Sequence, residues 1–381
     1  MNPALRALKP YPMAQLQQRK QALAQQGRHI FDFGTGDPVE PTPAFIPEAL
    51  RQAVPAVSQY PSVAGTPDLR QAVCGYLQRR FSVNLDANTQ ILPSAGSKEA
   101  IFHLGLAFLD PTSARNTIVF GSPGYPVYQS SALFAGGRAH EVVLQREHGY
   151  RLDLAALPQD VLNRTAIAWI NYPHNPTGAC VDRAYLSAQA AVAQAHGILL
   201  ASDECYQDLW FNGAAPPPSL LQVATTGVLA FHSCSKRSGM TGYRSGFIAG
   251  DAALIAAYRG WRAHFGVGSP TFTEQAAALA WSDDLHAEQR RAIFAAKQAI
   301  LVAGLEARSI SVLPSQAGLY LWAQVPTGFT ADAYATLCLD QGIVVSPGGF
   351  FGAGGEGWFR LALVPSEAEC HAALHAWPRH A

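Results

Sequence analysis

Between about residues 89 and 250 the chain repeats one pattern: a short apolar run, a break of small residues, then a helical stretch. The runs fall at 90–92, 117–120, 139–143, 166–171, 198–201, 227–231 and 246–249, and helical stretches such as 97–109 and 182–196 lie between them. Runs this short and this continuously apolar read as strands buried on both faces. Strands that alternate with helices form a mostly parallel sheet covered by helices on each side. Upstream, Thr66-Pro67-Asp68 opens a further helix, with a threonine cap and proline at the first helical position.

The alternation ends near residue 251, and the next stretch is strongly helical. Strands are then expected at 319–323, 343–345 and 358–363, with a last helix from residue 366. At the other end, 8–12 reads as an extended arm, 13–26 as a helix that stops at Gly27, and 30–33 as a short strand broken by Gly34-Thr35-Gly36-Asp37-Pro38. A chain of 381 residues, 49% hydrophobic, is too long for one core and fits a large domain with a smaller one. The change near residue 283 sets the expected division: 45–282 as the large domain, 1–44 together with 283–381 as the small one.

Charge and cysteine usage narrow the function. The 27 basic residues balance 27 acidic ones, so neither nucleic acid nor an anionic membrane is expected as a partner. No apolar run approaches the roughly 18–20 residues of a membrane span. Residues 1–12 hold no apolar core of signal-peptide type, so a cytoplasmic protein is expected. The 6 cysteines form no C-x-x-C pair, and no metal is expected.

Ligands of an open α/β sheet bind beyond the carboxyl ends of its strands. The residues just after each run therefore carry the functional reading. Ser94-Ala95-Gly96-Ser97-Lys98-Glu99 opens a helix whose free N–H groups and dipole suit a phosphate, although an ordinary helix cap looks the same. Asn171-Tyr172-Pro173-His174-Asn175-Pro176-Thr177-Gly178 is a turn that leaves the Asn175 amide at a strand end. Ser202-Asp203-Glu204-Cys205-Tyr206 puts a carboxylate at the end of a buried strand, where it needs a cation, from a structural arginine or from a ligand. Ser233-Cys234-Ser235-Lys236 sets a lysine among small hydroxyls, with Arg244 eight residues on. The other lysines are Lys9 and Lys20 in the N-terminal arm and helix, Lys98 in the candidate phosphate loop, and Lys297 in a long amphipathic helix. Lys236 is thus the best placed for imine chemistry. No Gly-x-Gly-x-x-Gly follows a strand, which excludes a nicotinamide oxidoreductase of the usual kind.

Asn-Pro-Thr-Gly at 175–178, Ser-Asp-Glu-x-Tyr at 202–206, and Ser-x-Ser-Lys at 233–236 followed by Gly-x-Arg-x-Gly at 242–246 resemble the class I aminotransferases of fold type I. The likeness runs from Pro10 to about Ala373. It is nearest to the succinyldiaminopimelate transaminases, through residues 8–12, 231–251, 280–283, 317–322 and 359–364. The resemblance implies an α/β fold type I transferase dependent on pyridoxal 5'-phosphate: a large domain with a mostly parallel sheet flanked by helices, plus a smaller α+β domain. It implies that Lys236 binds the cofactor and moves the proton, that Asp203 keeps the ring nitrogen protonated, and that Tyr206 and Asn175 hydrogen-bond the ring's phenolic oxygen. Tyr125 would stack on the ring, and Ser97, Lys98, Ser233, Ser235 and Arg244 would hold the phosphate. Tyr60 would reach the phosphate of a second subunit, giving a homodimer with shared sites. Arg360 and the backbone at Gly36 would hold the substrate carboxylate.

Two loops depart from the pattern: Arg262-Ala263-His264-Phe265-Gly266 and Gly348-Gly349-Phe350-Phe351-Gly352. His174 also stands where a second asparagine is common. Arg262 and His264 are read as partners for distal substrate carboxylates, the glycines as room for length, and the phenylalanines as a wall that would suit an aromatic donor. The amino donor expected from the resemblance is N-succinyl-L,L-diaminopimelate, with 2-oxoglutarate as acceptor, in lysine biosynthesis. The alternatives are an aminotransferase for aspartate, aromatic or other amino acids, and a carbon–sulfur lyase. Asp208 and Asp251, outside the expected site, should tolerate conversion to asparagine.

Overall fold

The computed structural model describes residues 3–7, 12–211, 213–266 and 268–379; residues 8–11 of the arm expected at 8–12, Lys9 among them, lie outside these, and Pro12 opens the helix Pro12–Gln25. Its strands, in chain order, are β1 (Phe31–Asp32), β2 (Ile91–Ser94), β3 (Thr117–Ser122), β4 (Arg138–Val143), β5 (Thr165–Asn171), β6 (Leu199–Asp203), β7 (Val228–Ser233), β8 (Gly246–Gly250), β9 (Tyr320–Gln324), β10 (Ile343–Val344), β11 (Ser346–Pro347) and β12 (Trp358–Ala362). Each apolar run between residues 89 and 250 is a strand, within two residues of its expected ends.

Seven strands in the order β2-β8-β7-β6-β5-β3-β4 make the central sheet. β4, β3, β5, β6 and β7 run parallel, and β8 runs antiparallel to its neighbours β7 and β2. Parallel neighbours need long crossovers, and helices supply them: Val127–Phe134 between β3 and β4, Gln159–Arg164 between β4 and β5, and Arg183–Ala195 between β5 and β6. With helices on both faces, β6 and β7 are buried at every position. That is why they read as apolar without alternation. No helix among the described residues is long and apolar enough to cross a membrane.

Two smaller sheets complete the fold. β11, β12 and β9 form an antiparallel sheet, and β1 pairs in parallel with β10, Phe31 opposite Ile343. One apolar cluster joins Phe33 to residues between Phe294 and Trp377, and takes in Tyr206, Leu209 and Phe211 just beyond β6. The stretch after Asp203 therefore leaves the central sheet and packs with the C-terminal part of the chain.

Lys297 does not lie on a solvated face of its helix. It sits in the helix Leu285–Glu306, is 0% exposed, pairs with Glu40, and donates to the carbonyls of Leu363 and Val364 at 3.3 Å each. Nearby, Arg290 donates to Pro41 O at 3.2 Å, and Thr42 Oγ1 donates to Gly239 O at 2.7 Å. The N-terminal segment is thereby stapled to this helix. Removing one member of a buried pair strands the other, at a cost of roughly 3–5 kcal/mol. Lys297→Met should therefore lower stability by about 3 kcal/mol, and adding Glu40→Gln should restore most of it. Urea denaturation of both variants checks this; equal losses in the single and double variants would refute the pairing.

Candidate active site

A cavity of about 520 Å³ opens at the carboxyl ends of β5, β6 and β7. Strand register explains its contents. Asn171 lies opposite Asp203, Asp203 opposite Phe231, and Ser233 opposite Gly246, so the segments after these strands leave the sheet side by side. Gly36, Ser97, Lys98, Tyr125, Asn175, Asp203, Tyr206, Ser233, Ser235, Lys236, Arg244 and Arg360 all line this one cavity. Tyr60 and Arg262 do not.

Asp203 ends β6 and is 4% exposed. Its Oδ2 accepts the Tyr128 hydroxyl at 2.8 Å and its Oδ1 the Cys205 N–H at 3.3 Å. No lysine or arginine among the described residues pairs with it, so burial pushes its carboxyl above the usual range despite these bonds.

A second part of the cavity is built for an anion. Gly96, at φ +76°, precedes the helix Ser97–Phe108 and turns its first N–H groups inward. A Cβ at Gly96 would lie 2.5 Å from Arg244 Nη2, so this glycine keeps the cradle open; one at Gly246 would lie 2.5 Å from His232 O on the neighbouring strand and 3.3 Å from the Ser97 N–H. Arg244 sits in the left-handed region at φ +54° and donates to Thr241 O at 2.9 Å. Such a conformation costs about 1 kcal/mol or more and persists where the surroundings impose it. Ser94 Oγ, behind the cradle, is buried without a partner.

Arg360, on β12, is 5% exposed and meets no carboxylate among the described residues. Its Nη1 donates to Asn175 Oδ1 at 3.1 Å and its Nη2 to Gly34 O at 2.7 Å, while Nε has no partner. The guanidinium lies over the rings of Tyr320 and Phe351, 4.1 and 4.6 Å from their centres. The Tyr206 hydroxyl is 3.2 Å from that of Tyr320 and 3.5 Å from Asn175 Nδ2. Burial first, then Tyr320, raises the Tyr206 phenol well above its ordinary range.

Lys236 lies in the helical turn Cys234–Arg237, capped by Ser233, whose Oγ accepts the Ser235 N–H at 3.1 Å. Its Nζ donates to Gly36 O. Burial pushes its ammonium below the ordinary lysine range and the Arg360 charge adds to this, against Tyr320 and Asp37. A lysine so tuned is a nucleophile and a base nearer neutral pH.

The family model described as aminotransferase class I and II matches residues 28–376. This chain belongs to that family. It is 37% identical over 377 residues to "LL-diaminopimelate aminotransferase 2" of Nostoc sp., covering 97% of this chain and 96% of that one. Its structure is similar to substrate-bound BacF from Bacillus subtilis (TM-score 0.93, 28% identity, 99% and 96% coverage). It is also similar to a "probable N-succinyldiaminopimelate aminotransferase" from Thermus thermophilus (TM-score 0.88, 25% identity, 96% and 98% coverage).

This aminotransferase has the family's fold type I architecture and depends on pyridoxal phosphate. Its cavity fits that cofactor: a buried acid without a cation, a cradle of N–H groups, hydroxyls and Arg244, and a depressed lysine between them.

Four expectations about the surroundings need correction. Arg262 ends the helix Ala252–Arg262, is 1% exposed, and pairs with Glu99 at 2.5 Å in the first turn of Ser97–Phe108. Its charge is spent between two helices and not on a substrate. His264 is exposed and off the cavity. Gly348 serves close backbone packing, since a Cβ there would stand 2.7 Å from Trp358 O; Phe350 and Phe351 do line the cavity. Asp208 is buried between Arg80 Nε (3.1 Å), Arg237 Nε (2.8 Å) and the Tyr76 hydroxyl (3.0 Å). Burial pushes its carboxyl up, yet Arg237 and Arg80 hold it below its usual range, so it should not tolerate an amide. Tyr60 is fully exposed.

Sequence reasoning missed Tyr128, Tyr320, Cys205 and Asp37 as cavity residues or their direct supports. Tyr128 had a signal: it follows Tyr125 by three residues, as the second residue of the helix Val127–Phe134. It stacks on Trp169 (4.9 Å, 18°) while its hydroxyl holds Asp203.

A raised carboxyl pKa means that folding disfavours the ionised form of Asp203 relative to the unfolded chain. Without cofactor, the stability that Asp203 contributes is full below the unfolded pKa and is lost as pH rises through the folded one. Asp203→Asn should thus stabilise the cofactor-free protein at pH 8 by about 1 kcal/mol, with a smaller gain at pH 5. The same change should lower kcat by orders of magnitude. Denaturation midpoints and assays check both; a destabilised cofactor-free variant, or activity within about twofold of the parent, would contradict the prediction.

Proposed function

We propose that this aminotransferase takes the amino group of LL-diaminopimelate and passes it to 2-oxoglutarate. One observation carries the chemistry: two buried charges of opposite sign face one cavity and are not neutralised by the protein, Asp203 without a cation and Arg360 without a carboxylate. A protonated ring nitrogen suits the first, and an α-carboxylate held by the guanidinium fork suits the second.

Bound pyridoxal phosphate supplies a ring that withdraws electrons from the carbon bearing the amino group. The chain's residues do the rest. Lys236 holds the cofactor and, once released, takes the proton from the substrate α-carbon. Asp203 keeps the proton on the ring nitrogen. Tyr206 and Asn175 hydrogen-bond the ring's phenolic oxygen, and Tyr125 covers the ring face. Ser97, Lys98, Ser233, Ser235 and Arg244 hold the phosphate. Arg360 binds the α-carboxylate, kept in plane by Tyr320 and Phe351, and Gly36 lets the backbone approach, since a side chain there would collide with the Tyr320 hydroxyl. The working unit in this reading is a homodimer, and the exposed Tyr60 serves the neighbouring subunit's phosphate.

The distal half of the substrate decides the donor. Asp37 is an acid on the cavity wall that suits a free distal ammonium. Succinylation would replace that ammonium with an amide and add a further carboxylate to the distal one that both donors carry, and Arg262, a cation expected for such groups, is committed to Glu99. The name of the Nostoc relative supports the same choice. The succinylated donor is the second reading, supported by the sequence blocks that resemble succinyldiaminopimelate transaminases and by the likeness to the Thermus structure.

A donor panel with 2-oxoglutarate, read as glutamate formed, tests the proposal. LL-diaminopimelate should exceed its N-succinyl derivative, aspartate and phenylalanine in kcat/KM, and Asp37→Asn should cost LL-diaminopimelate about tenfold more than it costs glutamate in the reverse half-reaction. A succinylated donor ahead of the free one would install the second reading. Borohydride reduction of the loaded enzyme should fix the cofactor on the peptide that contains Lys236; a label at Lys98 or Lys297 would remove Lys236 from its role.

A further inference from the structure

The residue after Lys236 is an arginine that is 3% exposed. Its guanidinium reaches several segments at once. Nε donates to Asp208 Oδ2 at 2.8 Å. Nη1 donates to Ala280 O at 2.6 Å and lies 3.3 Å from His286 Nε2. Nη2 donates to Asp283 O at 2.8 Å and to Asp284 Oδ1 at 2.7 Å. The rings of Tyr76 and Trp281 lie 5.0 and 5.2 Å from its centre. Every donor group has an acceptor or a ring nitrogen beside it, which is the condition for burying an arginine without a large penalty.

The identity of its partners points beyond stability. Asp208 closes the segment that begins with Asp203 and includes Tyr206, so the Arg237–Asp208 pair sets the lysine turn against the residues assigned to the ring nitrogen and the phenolic oxygen. Asp283, Asp284 and His286 stand at the entry of the helix Leu285–Glu306. That helix carries Arg290 and Lys297, which hold Pro41 and Glu40. A few residues upstream, the same segment presents Gly36 O to Lys236. The contacts form a closed ring: lysine turn, Arg237, long helix, N-terminal segment, lysine. A displacement anywhere in the ring is felt at the Lys236 amine. The turn is only four residues long, Cys234–Arg237, so it has little stiffness of its own to resist it.

We propose that Arg237 is a positioning residue for Lys236, the clamp that fixes the amine relative to Asp203 and Tyr206. The proposal rests on Lys236 being the cofactor lysine, which the borohydride label tests separately; a label on another lysine would sink both. Lys at position 237 keeps the charge but, lacking the fork, cannot serve Asp208, Ala280 and Asp284 together. The decisive variant is therefore Arg237→Lys, studied as the cofactor-loaded enzyme. We expect it to fold and to bind cofactor, with kcat down about tenfold or more and KM for donor and acceptor within about threefold. The pH midpoint of the loaded enzyme's visible absorbance should rise by at least about half a unit, because a loosened turn admits water that stabilises the protonated form. A lower Tm with parental kcat and an unmoved midpoint would mark Arg237 as a stabilising residue alone and overturn the proposal, as would a change confined to KM. Should Arg237→Lys fail to fold, Asp284→Ala decides, since Asp284 is partly exposed and its loss removes one arm of the clamp, with Arg79→Ala as the control for its second ion pair. A kcat loss of about threefold with the midpoint moved upward supports the clamp; parental values of both refute it.

Discussion

Asp203 and Arg360 carry opposite charges, are both buried, and open onto one cavity, yet they do not meet. If they did, each would satisfy the other, and the site would collapse into a structural ion pair. The fold prevents this by placing them on different sheets, Asp203 at the end of β6 and Arg360 within β12. Each is occupied by partners too weak to neutralise it. Asp203 has a hydroxyl and an N–H; Arg360 has an amide oxygen, a carbonyl and two ring faces. The remaining features of the site follow from keeping these two charges apart and open to a third party.

This arrangement costs stability. An unneutralised buried carboxylate, an arginine held at a positive φ, a buried serine hydroxyl without a partner and a depressed lysine all sit around one cavity. The rest of the molecule offsets them with ordinary means: parallel strands buried on both faces, large apolar clusters, and ion pairs such as Lys297–Glu40 and Arg237–Asp208 that are satisfied within the protein. Asp203, Arg360, Lys236 and Arg244 face the cavity, whereas Lys297–Glu40 and Arg237–Asp208 pair away from it.

The central sheet was legible because each of its strands is short, continuously apolar and bounded by breakers, a pattern that survives in one dimension. The cavity residues at strand ends were legible for the same reason: Asn175, Asp203 and Lys236 each follow such a run directly. Residues whose meaning depends on a distant partner were not. Arg262 looks like a free cation in a loop until the fold sets Glu99 beside it, and Lys297 reads only as one residue of an amphipathic helix until Glu40 arrives from the far end of the chain. Tyr320 gave no local sign either, since the apolar run of β9 predicts its burial but not that its hydroxyl reaches Tyr206. Asp208, two residues beyond Tyr206, read as a bystander because nothing local announces the two arginines that converge on it.

The pairing of β1 with β10 bears on how the chain is made. Phe31 lies beside Ile343, Phe33 packs among residues from Phe294 onward, and Glu40 waits for Lys297. During synthesis the first forty residues therefore leave the ribosome long before any of these partners exists. The central sheet, closed by β8 at Gly250, has all its strands well before then. Contacts so distant in sequence form late and slowly. Gly36 and the wall it contributes are thus among the last parts of the site to arrive, and the nascent chain holds Asp203 at the end of β6 before it holds the residues that would cover it.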